Sequence, residues 1–268
     1  MNGNGRAKPV LKWAGGKQIL AVELVSRFPS AYETFFEPFV GGASVLLQAD
    51  PDRAVVGDLN PWLVDTYKAI RRKWKKVAAV LDTLPNTRED YLRIRKIRPD
   101  TLKQCERAAH LIYLNKTCFR GLFRVNRRGE FNVPYGAYQR RYYDPDNLAA
   151  FAARLRRFDI QCQDFELTVA DARSGDFIYF DPPYYKFGGY SDFNRYTPGQ
   201  FRENDHIRLA ACCRELDERG IQWSLSNSST PFIRRLYEGF RIVELSNRRD
   251  INLSSKSRDV AELFITNF

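Results

Sequence analysis

Asp176-Phe177-Ile178-Tyr179-Phe180-Asp181-Pro182-Pro183-Tyr184 is the stretch on which the reading of this chain turns. Residues 177–180 are apolar, aromatic or β-branched and read as a buried strand. Two consecutive prolines cannot continue a central strand, because neither has an N–H for the ladder. The strand therefore stops at Asp181, and open α/β sheets bind ligands at the carboxyl ends of their strands. Here the chain offers the Asp181 carboxylate, a stiff Pro182-Pro183 backbone with its carbonyls, and the flat π-face of Tyr184. Acceptors beside a stacking ring suit a planar substrate that carries an exocyclic amine. Taken alone, the quartet reads equally as a rigid strand-to-loop turn, since short motifs recur by chance.

Upstream stretches decide between these readings. Residues 34–37 form a compact strand candidate, followed by Pro38-Phe39-Val40-Gly41-Gly42-Ala43 and a helix over Ser44–Ala49. A strand, a glycine-rich turn and a helix make the geometry of a nucleotide-type cofactor site. A second strand, Ala54–Gly57, runs into Asp58-Leu59-Asn60-Pro61. An acid at that position, about 20 residues past the glycines, is placed to accept hydrogen bonds from ribose hydroxyls. Asp58 is equally placed to cap the helix that Pro61 begins. Nearer the N-terminus, Leu11-Lys12-Trp13-Ala14-Gly15-Gly16-Lys17 precedes an amphipathic helical pattern over 18–28. Gly15-Gly16 lets backbone approach a ligand closely, and Lys17 sits at the helix start. Leu11 stands where a Walker loop needs glycine, so this is not that motif.

The whole chain is long enough to bury a core without staples. A net charge of +11 and a pI near 9.5 point to a polyanionic partner. The five cysteines have no paired spacing, which implies free thiols in a reducing compartment. With only two histidines and no Cys/His cluster, no metal site is expected. No apolar run of about 18 residues or more occurs, and the first residues lack a signal-peptide core. The expectation is a cytoplasmic protein, bacterial, archaeal or phage-encoded, with no membrane contact, acting as a monomer without an obligate protein partner.

Taken together, these motifs resemble the class D12, Dam-like DNA adenine-N6 methyltransferases. The family's Lys-Trp-Ala-Gly-Gly-Lys signature stands at 12–17, its Glu-Pro-Phe-Val-Gly loop at 37–41, its Asp-x-Asn at 58–60 and its Asp-Pro-Pro-Tyr at 181–184. Ala43 stands where the family's Phe-x-Gly-x-Gly has its second glycine, so a slightly reshaped turn is expected. The resemblance implies a seven-stranded S-adenosylmethionine-dependent methyltransferase sheet, an α/β fold, built from residues 1–61 and 151–268. A helical and β-hairpin target-recognition domain over 62–150 is inserted in it. It assigns cofactor contacts to Trp13, Ala14, Gly15, Gly16, Lys17, Glu37, Pro38, Phe39, Gly41, Gly42, Asp58, Asn60, Asp164, Phe165 and Asp181. Asp164-Phe165, after a strand at 159–163, is expected to lie by the cofactor's adenine, with Asp164 accepting from its amine.

The insert carries basic helical runs at 71–76 and 93–98 and an apolar helix at 108–115. Such runs read as solvated helix faces as readily as DNA contacts. Residues 113–136 resemble the family's helix and hairpin that enter DNA, down to Arg-Gly-Glu-Phe-Asn-Val-Pro at 128–134. Physically, Arg127-Arg128-Gly129-Glu130 can turn a hairpin, with Phe119, Leu122 and Phe123 as apolar points on one arm. Arg120 and Arg124 suit bidentate contacts to guanine in the major groove, and Phe119 suits a wedge between base pairs. Arg127, Arg128, Arg140 and Arg141 suit phosphates. By resemblance, Gly121, Leu122 and Arg124 lie by the vacated base or read a guanine, and the DNA-contacting set extends to Lys12, Asn126, Asn132, Pro134 and Tyr138. The family pattern has Tyr and Asn where Phe119 and Arg120 stand; the implied target is GATC or a related short site.

Past the catalytic loop, residues 186–197 read as a lid, 198–219 as a helix, 247–259 as loop, and 221–227, 241–245 and 261–267 as strands. The expected reaction moves a methyl group from S-adenosylmethionine to N6 of an adenine swung out of duplex DNA. Asp181 and the Pro182 carbonyl hold the amine, Pro183 stiffens the turn and Tyr184 stacks on the base. Cytosine N4 or an RNA base presents a similar amine, and a catalytically silent DNA-binding protein could keep the same pocket. Host marking, phage protection and restriction–modification all accommodate this chemistry.

Overall fold

The structure, a computed structural model, describes residues 6–13, 15–126, 129–185, 201–245 and 262–268. Ala14, Arg127 and Arg128, the expected lid at 186–197 and the polar stretch at 247–259 lie outside the described residues.

Seven strands form one sheet in the order β3-β2-β1-β4-β5-β7-β6. They are β1 Phe35–Glu37, β2 Ala54–Gly57, β3 Phe158–Gln161, β4 Phe177–Phe180, β5 Gln222–Ser228, β6 Arg241–Leu245 and β7 Glu262–Thr266. β1 through β5 pair in parallel, while β7 runs antiparallel to both β5 and β6. The four residues of β4 are all buried, as a parallel strand covered on both faces requires. Its alternation assigns the side chains: Phe177 and Tyr179 join the aromatic and aliphatic core on one face, Ile178 and Phe180 the core on the other. Each such burial stabilises the fold by ~1.5–3 kcal/mol.

The helices are α1 Ala21–Val25, α2 Ser44–Ala49, α3 Pro61–Asp82, α4 Arg88–Arg95, α5 Gln104–Thr117, α6 Pro145–Leu155, α7 Phe165–Val169, α8 Glu203–Glu218 and α9 Pro231–Leu236. α1 is shorter than the pattern over 18–28 implies. Residues 18–20 form a turn, and Phe28, followed by Pro29, leaves the helix to pack on Phe177 and Tyr179. α3 is capped by Asn60, whose side chain accepts from the backbone N–H of Trp62 and Leu63 at 3.0 and 3.2 Å. The capping role open to Asp58 thus falls to Asn60. The basic run at 71–76 lies largely on the exposed side of α3, interrupted by non-helical backbone at Lys73.

Buried residues of 62–150, among them Tyr67, Tyr113 and Phe131, belong to the same hydrophobic cluster as Phe35 and Phe177 of the sheet. Within that segment, antiparallel bridges join Cys118 to Tyr135 and Val125 to Phe131. The Asn132 N–H donates to the Arg124 carbonyl and the Asn126 N–H to that of Glu130. The result is a narrow ribbon that pairs residues 118–126 with 130–135. Of the three apolar points on its first arm, Phe123 turns into the core: it is buried and stacks on Trp13 at 4.9 Å between ring centroids.

Candidate active site and DNA-facing surface

The strand order reverses between β1 and β4; β1 ends in Glu37, and Asp181 directly follows β4. This is the switch point where doubly wound sheets open a crevice. On the β1 side, the Gly41 N–H donates to Asp58 Oδ2 (3.2 Å) and the Asn60 N–H to Asp58 Oδ1 (2.8 Å), so one carboxylate ties the two loops together. Burial pushes the Asp58 carboxyl up to about 6, with the two N–H groups pulling the other way. The Tyr67 hydroxyl donates to the Gly41 carbonyl at 2.6 Å. Trp13 lies over the turn: a Cβ at Gly41 would meet its Cδ1 at 2.8 Å, and one at Gly42 its Cβ at 3.3 Å. Gly16 lies close against the Trp13 carbonyl, where its own N–H donates (3.0 Å). Gly15 takes a left-handed φ of 76°. Ala43 also adopts a left-handed φ of 60° at the start of α2, so the turn expected to be reshaped keeps a glycine-like conformation without a glycine.

Glu37 is 2% exposed and its Oε2 has no hydrogen-bond partner. Burial first, and then the charge of Asp181, hold its carboxyl well above the usual carboxylate range. A buried acceptor left unmatched beside a glycine turn is able to take a ligand's donor. Pro38 is buried beneath the turn, and Phe39 stacks on Phe165 at 5.6 Å.

Asp181 follows β4 with its side chain 18% exposed. Its Oδ1 lies 2.8 Å from the Lys17 ammonium, which is also 3.5 Å from Glu262 Oε1 and 3.2 Å from the Gly15 carbonyl. The Tyr184 hydroxyl donates to Glu262 Oε1 at 2.5 Å, and the Lys17 Nζ stands 4.3 Å from the Tyr184 ring centroid. Burial pushes the Asp181 carboxyl up to about 6; Lys17 opposes the rise and Glu262 adds to it. Behind the quartet, Asn227 Oδ1 accepts from the Tyr185 N–H, and the Ser228 hydroxyl donates to the Tyr185 carbonyl. Sequence reasoning passed over Glu262 and Asn227. Their only signal was a polar side chain at the end of an apolar strand.

Asp164 is held in place by two partners. Its carboxylate caps α7 through the Glu166 N–H and pairs with Arg208 at 2.9 Å, so its Oδ1 is already engaged. Arg208 in turn lies over the Phe165 ring, 5.0 Å from the centroid. Asn60, buried and occupied with capping, supports the loop from beneath.

The DNA-facing candidates converge on one surface. Asn115 accepts from the Lys12 N–H and donates to the carbonyls of Lys12 and Gly121, tying the N-terminal loop to the ribbon. Lys12 packs so closely that a Cβ on Gly121 would come within 2.3 Å of its Cδ. The Tyr138 hydroxyl accepts from the Arg120 N–H, and Lys12 and Arg140 flank the Tyr138 ring. Phe119 and Leu122 are exposed at 46% and 38%, and Pro134, which accepts from the Phe119 N–H, is exposed beside them. Arg124 is held from behind by Asn132, through the side-chain oxygen at 2.7 Å and the carbonyl at 3.0 Å. Asn126 bonds Glu130 across the turn.

A sheet of this order, with a glycine turn after β1, an acid after β2 and Asp-Pro-Pro-Tyr after β4, defines the class of S-adenosylmethionine-dependent methyltransferases that act on amino groups. The profile of the D12 class N6 adenine-specific DNA methyltransferases matches residues 13–251, and the chain belongs to this family. Among its relatives, the type II methyltransferase M1.LlaDCHI of Lactococcus lactis subsp. cremoris is 35% identical over 271 residues, spanning 97% of this chain and 95% of its own. The type II methyltransferase M.MjaIII of Methanocaldococcus jannaschii is 36% identical over 289 residues, spanning 97% and 99%. A DNA adenine methylase of Vibrio cholerae is 33% identical over 270 residues, spanning 98% and 96%. The chain is thus an adenine-specific DNA methyltransferase that uses S-adenosylmethionine. The unmatched Glu37 acceptor, the Trp13-covered glycines and the half-buried Asp58 fit that cofactor. Among the described residues no helix is long and apolar enough to cross a membrane, and no cluster of acids, histidines and cysteines could hold a metal.

Proposed function

We propose that the protein reads a short site in duplex DNA, GATC or a relative of it, swings the target adenine out of the stack, and presents its N6 to the methyl donor between Asp181 and Tyr184. When bound, S-adenosylmethionine supplies an electrophilic methyl group on a sulfonium. The observation that carries the reading is the placement of Asp181, partly open at the end of β4 and beside the buried Glu37.

The N6 lone pair of adenine is delocalised into the ring and is a poor nucleophile. In our reading Asp181 and the Pro182 carbonyl accept its two N–H groups and favour a pyramidal nitrogen with the lone pair aimed across the crevice. A carboxyl raised to about 6 is also matched to take up the proton that N6 sheds. Tyr184 stacks on the base while Pro183 keeps the loop stiff. Glu37, Asp58, Gly15, Gly16, Gly41 and Gly42 hold the cofactor, with Trp13, Phe39 and Phe165 as apolar neighbours and Pro38 beneath the turn. The ion pairing of Asp164 argues for a supporting role there.

Residues 62–150 serve as the target-recognition part. Arg124, braced by Asn132, reads a base edge; Phe119 and Leu122 enter the gap left by the adenine; Lys12, Arg120, Tyr138 and Arg140 line the approach, with Arg127, Arg128 and Arg141 on phosphates. We read the protein as a cytoplasmic monomer on its DNA. The test is to incubate a sequence-diverse duplex library with protein and cofactor, then map modified bases by modification-sensitive sequencing. N6-methyladenine at one short recurring site supports the reading; methylation scattered over all adenines contradicts site recognition.

A further inference from the structure

One ammonium is shared here by two carboxylates. Lys17 lies nearly buried, and its Nζ is closer to Asp181 Oδ1 (2.8 Å) than to Glu262 Oε1 (3.5 Å). If Asp181 is to accept an N–H from adenine, as proposed above, Lys17 must slacken its hold on the same carboxylate. An ammonium 5% exposed cannot turn to water without a large desolvation penalty, so it needs another anion within reach. Glu262 is the one other carboxylate within ion-pair distance of Lys17 among the described residues. Its backbone is fixed on both sides, paired with Ser228 of β5 and Leu245 of β6. Its Oε1 also takes the Tyr184 hydroxyl.

We propose that Glu262 is a positioning residue: it receives Lys17 when the adenine amine takes its place on Asp181, and through the Tyr184 hydroxyl it holds the stacking ring in plane meanwhile. An ammonium has three donors, so Lys17 can pass between the two carboxylates by a small sideways shift without leaving the Gly15 carbonyl. The inference rests on the proposed role of Asp181. The groups facing Asp181 that bear on its titration are Lys17 from the N-terminal loop, Glu37 from β1, Tyr179 from β4, Tyr184 from its own loop and Glu262 from β7.

The experiment compares wild type, Glu262→Gln, Lys17→Met, the double variant and Asp181→Ala in single-turnover methyl transfer to duplex DNA across pH, with cofactor affinity measured by calorimetry. Glu262→Gln should keep cofactor affinity and lower the transfer rate about 10- to 100-fold, as expected when a charged buried hydrogen-bond partner is lost. The acid limb of its pH profile should move to lower pH, because a charge that raises the Asp181 carboxyl has gone. In the Lys17→Met background the Glu262→Gln change should cost much less than it does alone, because the ammonium it serves is absent. A wild-type rate with an unmoved acid limb, or equal losses with and without Lys17, overturns the proposal while Asp181→Ala stays inactive. Turnover by Asp181→Ala instead overturns the catalytic reading, and this inference with it.

Discussion

The Lys17 ammonium and the Asp181 carboxylate stand 2.8 Å apart, bringing the N-terminal glycine loop and the end of β4 to one point. The pair joins the two most distant motifs of the chain. They meet beside the switch between β1 and β4.

The first prediction concerns pH. Burial raises the Asp181 carboxyl to about 6 despite Lys17. A raised acid favours its neutral form in the folded state. Its contribution to stability is therefore full below its unfolded value of 3.8 and is lost as pH rises through about 6. Activity runs the opposite way, because the acceptor must be ionised. The single-turnover rate should be flat above about pH 7 and fall about tenfold per unit well below pH 6, following the ionised fraction. A profile flat down to pH 5 would contradict the assignment.

Tyr184 should matter for holding the base. Tyr184→Ala removes the stacking face, worth ~1–3 kcal/mol per base, and should slow transfer to duplex DNA with cofactor affinity kept. An unchanged rate on duplex DNA would refute the role. Tyr184→Phe keeps the ring but loses the bond to Glu262, and should fall between the two.

Arg124→Ala should relax discrimination at one base pair by ~1–3 kcal/mol. The check is relative transfer rates on duplexes altered one pair at a time. A uniform loss across all sequences, with a shallower salt dependence, would make Arg124 a phosphate contact.

Gly41→Ala should damage the cofactor loop. Its φ of 43° is left-handed, and the new Cβ would meet Trp13 Cδ1 at 2.8 Å. Left-handed strain and overpacking together are worth about 2–5 kcal/mol. A lower urea midpoint and weaker cofactor binding are expected; an unchanged midpoint would show that the loop adapts freely.

The sheet and the Asp-Pro-Pro-Tyr loop were legible because their signals are local. An apolar run ended by two prolines has few other solutions, and α2, β2 and β6 followed their patterns closely. Less legible were side chains with more than one compatible fate. Phe123 lies on the ribbon like Phe119 and Leu122, yet it turns inward because Trp13 arrives from another part of the chain. Asp164 has the chemistry to bind an adenine amine, but Arg208 on α8 reaches it. Asp58 and Asn60 both suit a cap, and only the approach of the Gly41 N–H separates their roles. Glu262 carried only the weak signal of an acid at the edge of an apolar strand, since its partners Lys17 and Tyr184 become neighbours only when β7 pairs with β5.

The most direct measurement is single-turnover methyl transfer by Asp181→Ala, with cofactor affinity determined on the same preparation. The account predicts that transfer falls by about 10²-fold or more while the cofactor still binds measurably. Transfer near the wild-type rate would contradict it.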